Sequence, residues 1–349
     1  MSKTGDINKN LIELISKRAA ICVDEIKKAS NTAEKYFPHD LTEIDGIISE
    51  YNKGPLSNKV IKKIFVEMLM ESAMLAKQRN VAFLGPAGSF SNMALSEIFG
   101  DSTVPVPCKT ITDVFRSVES GDCDLGVVPV ENSSEGAVTY TLDELLETEL
   151  LVSAEHYLKI NFSLVSKKTE LAQVKKIYTF SQPLGQCKNW IKANLPNAEI
   201  ILVDSTSSAA IAASNDTDSA AISSPAAAGI YNLNIIANGI EDSRQNYTRF
   251  FVIGRLKNSQ SKKDKTSIAF ALRDVPGALL EILKPFHKAG INMTKIESRP
   301  DKKKIWEYIF FIDISGHCEN PIVKKALDKM KKEAVFLKIF GSYPDVNQR

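Results

Sequence analysis

The spacing of apolar positions changes character twice along this chain. From Ile7 to about Gln78 it is helical: Leu11, Leu14, Ile15, Arg18, Ile21, Cys22 and Ile26 form one stripe. Val60, Ile61, Ile64, Phe65, Met68, Ser72 and Leu75 form another after the break at NKGPLS. An all-helical module is predicted there. Between Val81 and Gly254 short apolar runs alternate with helical stretches: VAFLG, VPVPC, LGVVPV, FSLV, KKIYTF, EIILVD, AAIS and FFVIG. Such alternation predicts two facing α/β units with mainly parallel strands, whose ligands sit beyond the strand carboxyl ends. The lysine-rich KNSQSKKDK, Lys257 to Lys265, reads as a linker. Beyond it SIAFAL, GALLEILKPFHKAG, INMTKIES, IWEYIFFIDI, PIVKKALDKMKKE and VFLKIF read strand, helix, strand, strand, helix, strand, the βαββαβ ferredoxin-like plan. The boundaries expected are 1–79, 80–256 and 265–345.

At 349 residues the chain exceeds what one core supports, in keeping with several domains. Its 44 basic and 42 acidic side chains leave a net charge of +2, which gives no electrostatic reason to expect nucleic acid as partner. Small molecules fit better. No apolar run approaches the ~18 residues of a membrane span, and the first thirty residues carry no export signal, so a cytoplasmic protein without a membrane partner is expected. The five cysteines include no CxxC pair and the four histidines are widely spaced. Neither a disulfide framework nor a metal site is expected, and no cofactor.

Candidate chemistry gathers in polar loops at strand ends. GPAGSFSNMA (Gly85 to Ala94) follows a strand and opens a helix. Its glycines permit a tight turn, and Ser89 or Ser91 can cap the helix while free N–H groups face an anion. VPVENSSEGAV places Glu131, Asn132 and Ser133 after the next buried strand, either as substrate grips or as a solvated turn. YTFSQPLGQCKNW offers Thr179, Gln182 and Gln186, and DSTSSAA offers Thr206; each also reads as ordinary capping. Thr248 and Arg249 lead into FFVIG. Four polar strand-end loops with this pair, and no cysteine–histidine pair or GxGxxG, favour hydrogen-bonding and ion-pair chemistry on an anionic substrate.

These residues resemble a family. GPAGSFS, VPVENSSEG, TFSQPLGQC and above all NYTRF are similar to the signature loops of prephenate dehydratases. PGALLEIL and ESRP resemble a phenylalanine-binding ACT domain, and the helical start resembles an all-helical chorismate mutase; the order is that of the bifunctional chorismate mutase/prephenate dehydratases. The resemblance implies a two-lobed dehydratase domain similar to periplasmic binding proteins, and an enzyme making phenylpyruvate for phenylalanine synthesis. It implies Thr248 as the group that eases the ring hydroxyl away, as positioned donor or general acid. Ser89, Glu131, Asn132, Ser133, Thr179, Gln182, Gln186 and Thr206 would hold substrate, with Arg249 either holding substrate charge or making a structural ion pair. Gly277, Ala278 and Leu279 with Glu297, Ser298, Arg299 and Pro300 would bind L-phenylalanine across the interface of a homodimer or homotetramer and so feedback-inhibit the dehydratase, unless the domain serves assembly alone.

The mutase motifs are degenerate. Arg18 lies on the apolar stripe, meeting an anion there or reaching to solvent. Lys28 and Ser72 match in part, but the family's first-helix arginine falls at Met1, its lysine at Ala29 beside Lys28, its Arg-Glu pair at Asp40 and Leu41, and its second helix-three polar residue at Ala76. Weak or lost chorismate turnover is expected. Rival readings are arogenate as substrate, a two-lobed solute-binding protein, and a purely regulatory amino-acid sensor.

Overall fold

Among the described residues, the helical periodicity of the first segment becomes α1 (Lys3–Lys28), α2 (Leu41–Tyr51) and α3 (Asn58–Ala76). In this computed structural model the described residues are 3–28, 41–76, 79–100, 103–243, 245–261, 263–273, 275–300 and 308–346. Cys22, Ile44, Ile48 and Leu69 form a small core between the helices. Leu11, Leu14 and Ile21 on the predicted stripe of α1 remain more than half exposed. No helix among the described residues is long and apolar enough to cross a membrane.

The middle segment builds two sheets. In the first lobe, β1 (Asn80–Leu84), α4 (Phe90–Phe99), β2 (Val104–Cys108), α5 (Ile111–Ser120), β3 (Leu125–Asn132), β4 (Gly136–Ala137), α6 (Thr139–Glu147) and β5 (Leu151–Lys159) follow in turn. The chain then crosses to the second lobe, made of β6 (Ser163–Ser166), β7 (Lys176–Thr179), α7 (Ser181–Gln186), α8 (Lys188–Asn194), β8 (Glu199–Leu202), α9 (Thr206–Asn215), β9 (Ser219–Ser223), α10 (Pro225–Ile230) and β10 (Asn234–Asn238). It returns as β11 (Tyr247–Gly254), inserted between β3 and β5, so the strand orders are β2-β1-β3-β11-β5 and β10-β6-β9-β7-β8.

The sheets are mixed, which corrects the expectation of mainly parallel strands. β1 runs parallel to β2 and β3, and β7 to β8 and β9, each joined by a helical crossover. β11 is antiparallel to both neighbours because it is the returning strand, and β6 is antiparallel to β9 and β10.

The third segment follows the βαββαβ plan: β12 (Asp264–Ala271), α11 (Ala278–Lys288), β13 (Met293–Pro300), β14 (Tyr308–Ser315), α12 (Pro321–Glu333) and β15 (Phe336–Pro344), ordered β13-β14-β12-β15. All eight residues of β12 are buried, because both faces of the sheet are covered. Ile268 and Phe270 face the core under α11 and α12. Ala269, on the opposite face, joins Ile309, Phe311 and Phe340 in packing against Leu142, Leu145, Phe251 and Ile253 of the first lobe. The predicted linker is therefore fastened. Buried Asn258 donates to the carbonyls of Ser153 (2.7 Å) and Ser342 (2.8 Å), and Asp264 and Lys265 already belong to β12. Part of its polarity, at Asn258, Asp264 and Lys265, is buried, while Lys257, Ser259, Gln260 and Lys263 are exposed.

Candidate active site

A cavity of about 410 Å³ opens between the two lobes, and β11 runs along it. A strand points alternate side chains to opposite faces. Asn246, Thr248 and Phe250 consequently line this cavity, whereas Tyr247 and Arg249 line a separate space of about 250 Å³ against the third segment. Thr248 pairs in register with Asn132 of β3, which also lines the cavity. The ring of Phe90 meets Phe162 edge to face at 5.5 Å across the lobes, so part of the lining suits an apolar ring.

The hydrogen bonds around Thr248 have a direction. The backbone N–H of Ser134 donates to Asn132 Oδ1 (2.9 Å), which turns the amide nitrogen of Asn132 towards Thr248. Asn132 Nδ2 donates to Thr248 Oγ1 (2.9 Å) and to Asn246 Oδ1 (2.9 Å). Asn246 Nδ2 in turn donates to Gln186 Oε1 (2.7 Å). Thr248 accepts from Asn132, and its own hydrogen is left for the cavity.

Two helices present their N-termini to the same space. Ser89 caps α4 by accepting from the N–H of Asn92 (3.2 Å) and donates to the carbonyl of Leu84 (3.0 Å), so its hydroxyl is committed to the fold. The first N–H groups of α4, at Phe90 and Ser91, have no intrahelical partner. Gly88 has φ +77°, and a Cβ there would stand 3.2 Å from Ala227 Cα of α10. Its absence lets this loop lie against the second lobe, clasped by Ser224 Oγ to the carbonyl of Gly88 (2.6 Å) and Tyr231 Oη to that of Ala87 (2.8 Å). From the second lobe comes α9, capped by Ser205, with Thr206 and Ser207 at the cavity. Ser207 is fully buried and its Oγ has no hydrogen-bond partner. Such termini attract anions. No Lys or Arg lines the cavity among the described residues; Glu135 and Asp204 do.

Of the sequence-predicted substrate residues, Ser89, Asn132, Gln182 and Thr206 meet at this cavity with Thr248. Glu131, Ser133 and Arg249 do not. Glu131 pairs with Lys295 (2.7 Å), and Ser133 Oγ donates to the carbonyl of Gln245 (3.0 Å). Arg249, only 3% exposed, ion-pairs with Glu155 (2.7 Å) and Asp313 (2.6 Å) and donates to Tyr343 Oη (3.0 Å). Burial opposes its charge, but Tyr343, Asp313 and Glu155 outweigh that and hold its pKa above the ordinary arginine value. Lys265 behaves alike: burial lowers its pKa, but Glu155 at 2.6 Å raises it further, to above the usual lysine value. Thr179 is buried at the end of β7 and donates to the carbonyl of Phe180 (3.1 Å). Gln186 reaches Asn246 rather than the cavity wall, and its Nε2 is buried without a hydrogen-bond partner. The neighbouring Cys187 thiol is pushed up to about 12, first by burial and then by Glu241 and Asp242, so it stays protonated.

The sequence assigned no role to Asn246, although it opens NYTRF, nor to Ser207 or the charge cluster of Glu155, Lys265, Lys295 and Asp313. Strand parity would have found Asn246, two residues before Thr248; the cluster is long-range pairing that no local pattern signals.

Elsewhere, Gly277 (φ +81°) caps α11, which Ala278 and Leu279 begin, and Glu297 to Pro300 end β13 at the sheet edge. Arg299 Nη1 bonds the carbonyl of Thr139 (3.0 Å) and Asp143 (3.1 Å) in the first lobe. In the helical module, Arg18 and Ser72 line a groove of about 280 Å³ with Glu67 and Glu71. Arg18 Nη1 is buried without a hydrogen-bond partner, its guanidinium 5.7 Å from the Phe65 ring centre, and Ser72 Oγ bonds back to the carbonyl of Met68 (2.7 Å). Lys28 is not brought there: it pairs with Asp24 (2.6 Å) on the exposed surface of its own helix. Met1, Ala29 and Asp40 lie outside the described residues.

A family model described as prephenate dehydratase matches residues 81–258, and one described as ACT domain matches 266–331. A bifunctional chorismate mutase/prephenate dehydratase of Aquifex aeolicus (strain VF5) is 41% identical over 344 residues, covering 97% of this chain and 95% of that protein. The crystal structure of a prephenate dehydratase from Arthrobacter aurescens in complex with L-Phe superposes with a TM-score of 0.72 at 34% identity, covering 77% of this chain and 91% of that one. A protein described as a novel type of quorum quenching acylase superposes with a TM-score of 0.71 at 26% identity, covering 77% and 99%.

Proposed function

Because the chain belongs to the prephenate dehydratase family, we propose that the interlobe cavity converts prephenate to phenylpyruvate, on the route to L-phenylalanine. The observation that carries this reading is Thr248 at the cavity with its hydrogen free. In the reaction the C–C bond to the ring carboxylate breaks, its electron pair aromatises the ring, and the C–O bond to the ring hydroxyl breaks. Hydroxide leaves badly unless a hydrogen bond or proton meets it. A threonine hydroxyl is too weak an acid for easy full transfer, so Thr248 acts as a donor that strengthens its bond as negative charge grows on the oxygen.

Prephenate carries two carboxylates, and the N-termini of α4 and α9 offer one seat in each lobe. Neutral N–H and hydroxyl donors suit a carboxylate that must depart, since a strong cation would stabilise the ground state as well. A serine or cysteine nucleophile beside histidine, the usual equipment for acyl transfer, is not found among the described cavity residues. Arogenate is a second reading, because Glu135 and Asp204 at the cavity would suit its ammonium group.

The βαββαβ domain would bind L-phenylalanine through Gly277 to Leu279 and Glu297 to Pro300, with two copies meeting along the open edge of β13. The first domain, 1–79, has the helical plan of a chorismate mutase, but its groove sets one guanidinium against two carboxylates, an unfavourable seat for dianionic chorismate. Mutase turnover is weak or lost. Mixing the purified chain with prephenate and following phenylpyruvate tests the main reading. Conversion that L-phenylalanine slows is expected; no phenylpyruvate from prephenate would overturn it.

A further inference from the structure

We propose that Asn246 is a positioning residue which, with Gln186 from the second lobe, reinforces the direction in which the Thr248 hydroxyl donates. The inference rests on the reading of Thr248 as donor to the leaving hydroxyl.

Side-chain amides have a donor end and an acceptor end, so a chain of them carries a direction. Only a group that cannot reverse can set it. The backbone N–H of Ser134 is such a group, and it fixes the Asn132 oxygen at 2.9 Å. The Asn132 nitrogen then serves two acceptors, Thr248 Oγ1 and Asn246 Oδ1, each at 2.9 Å. Asn246 has to turn its oxygen towards Asn132 and its nitrogen towards Gln186 Oε1 at 2.7 Å. At 2% exposure Asn246 has no ready water to replace either partner.

In the reversed arrangement the Asn132 oxygen would take the Thr248 hydrogen, and the substrate would lose its donor. Asn246 opposes that reversal: while its nitrogen is held by Gln186, its oxygen would face the oxygen of a flipped Asn132. Asn246 leads into β11 of the first lobe and Gln186 ends α7 of the second, so the direction set by Ser134 is reinforced across the junction of the lobes. Gln186 Nε2, buried and unpartnered, is a loose end of this relay. It can turn to donate if residue 246 becomes a pure acceptor.

That loose end supplies the test, in kcat and KM for prephenate with the full-length chain. Asn246→Ala is expected to lower kcat about tenfold, a partial loss of one transition-state donor, with a smaller change in KM. Asn246→Asp keeps the oxygen that accepts from Asn132 and lets Gln186 donate, so it should recover most of the lost kcat while its negative charge raises KM. Asn132→Asp, an equally small change, makes Thr248 donate into the carboxylate, and kcat should fall as far as in Thr248→Ala. A merely structural role would show in denaturant unfolding, where Asn132→Asp loses two amide bonds and Asn246→Asp one, and would leave kcat of the two folded variants alike. If Asn246→Ala fails to fold, Gln186→Leu against Gln186→Glu gives the same comparison, because Glu keeps the acceptor for Asn246. Unchanged kcat in Asn246→Ala, or Asn246→Asp no better than Asn246→Ala, would overturn the relay. Thr248→Ala separates the two levels: if it alone is impaired the relay fails and the donor reading stands, and if it turns over normally the donor reading fails first.

Discussion

Thr248 and Arg249 are neighbours in the chain with opposite surroundings. Thr248 faces the interlobe cavity, and Arg249 faces a buried cluster of charges against the third domain. Arg249→Met would take from buried Asp313 its 2.6 Å ion pair and leave buried Glu155 with Lys265, a loss expected to cost about 3–5 kcal/mol of stability. Denaturant unfolding checks this, and KM for prephenate in the folded variant should stay near that of the parent chain. A raised KM with undiminished stability would instead make Arg249 a substrate ligand. The sequence left both roles open for this arginine. The period of two in NYTRFF separates the residues: Asn246, Thr248 and Phe250 share one face, Tyr247 and Arg249 the other. The same parity parts Asn132 from Glu131 and Ser133. What parity could not supply was the partner of each face, because Glu155 and Asp313 lie far from Arg249 in sequence.

Elements with strong local patterns were legible: α12 spans the predicted PIVKKALDKMKKE, and the apolar runs of the middle segment became strands. β5 was not, because Glu155 and His156 interrupt its apolar pattern. Glu155 is tolerated inside only through Arg249 and Lys265. β10 is a short edge strand whose NIIAN sequence carries little signal. Helix starts at strand ends were visible as serine-rich turns, yet the sequence could not say that the N-termini of α4 and α9 face one cavity. The helical module shows the converse. Its stripe was plain, but Lys28 points to Asp24 while Glu67 and Glu71 enter the groove beside Arg18. Incubating the purified chain with chorismate should therefore consume little of it, whether product is counted as prephenate or phenylpyruvate, and brisk loss of chorismate would show that the groove receives cations from elsewhere.

Across the whole molecule, the dehydratase and ACT domains share one apolar core and one ion cluster, so the strand carrying Thr248 is held on both sides. Movement of β14 or β15 would reach Arg249 directly and Thr248 one residue later, a short path between an effector domain and the cavity. All of this depends on the hydroxyl of Thr248 meeting the leaving oxygen. The most direct measurement is prephenate turnover by Thr248→Ala and Thr248→Ser beside the parent chain. With unfolding unchanged, the alanine variant is expected to lose at least about tenfold in kcat and the serine variant to keep a large part of it. An alanine variant that turns over prephenate at the parent rate would contradict the role given to Thr248.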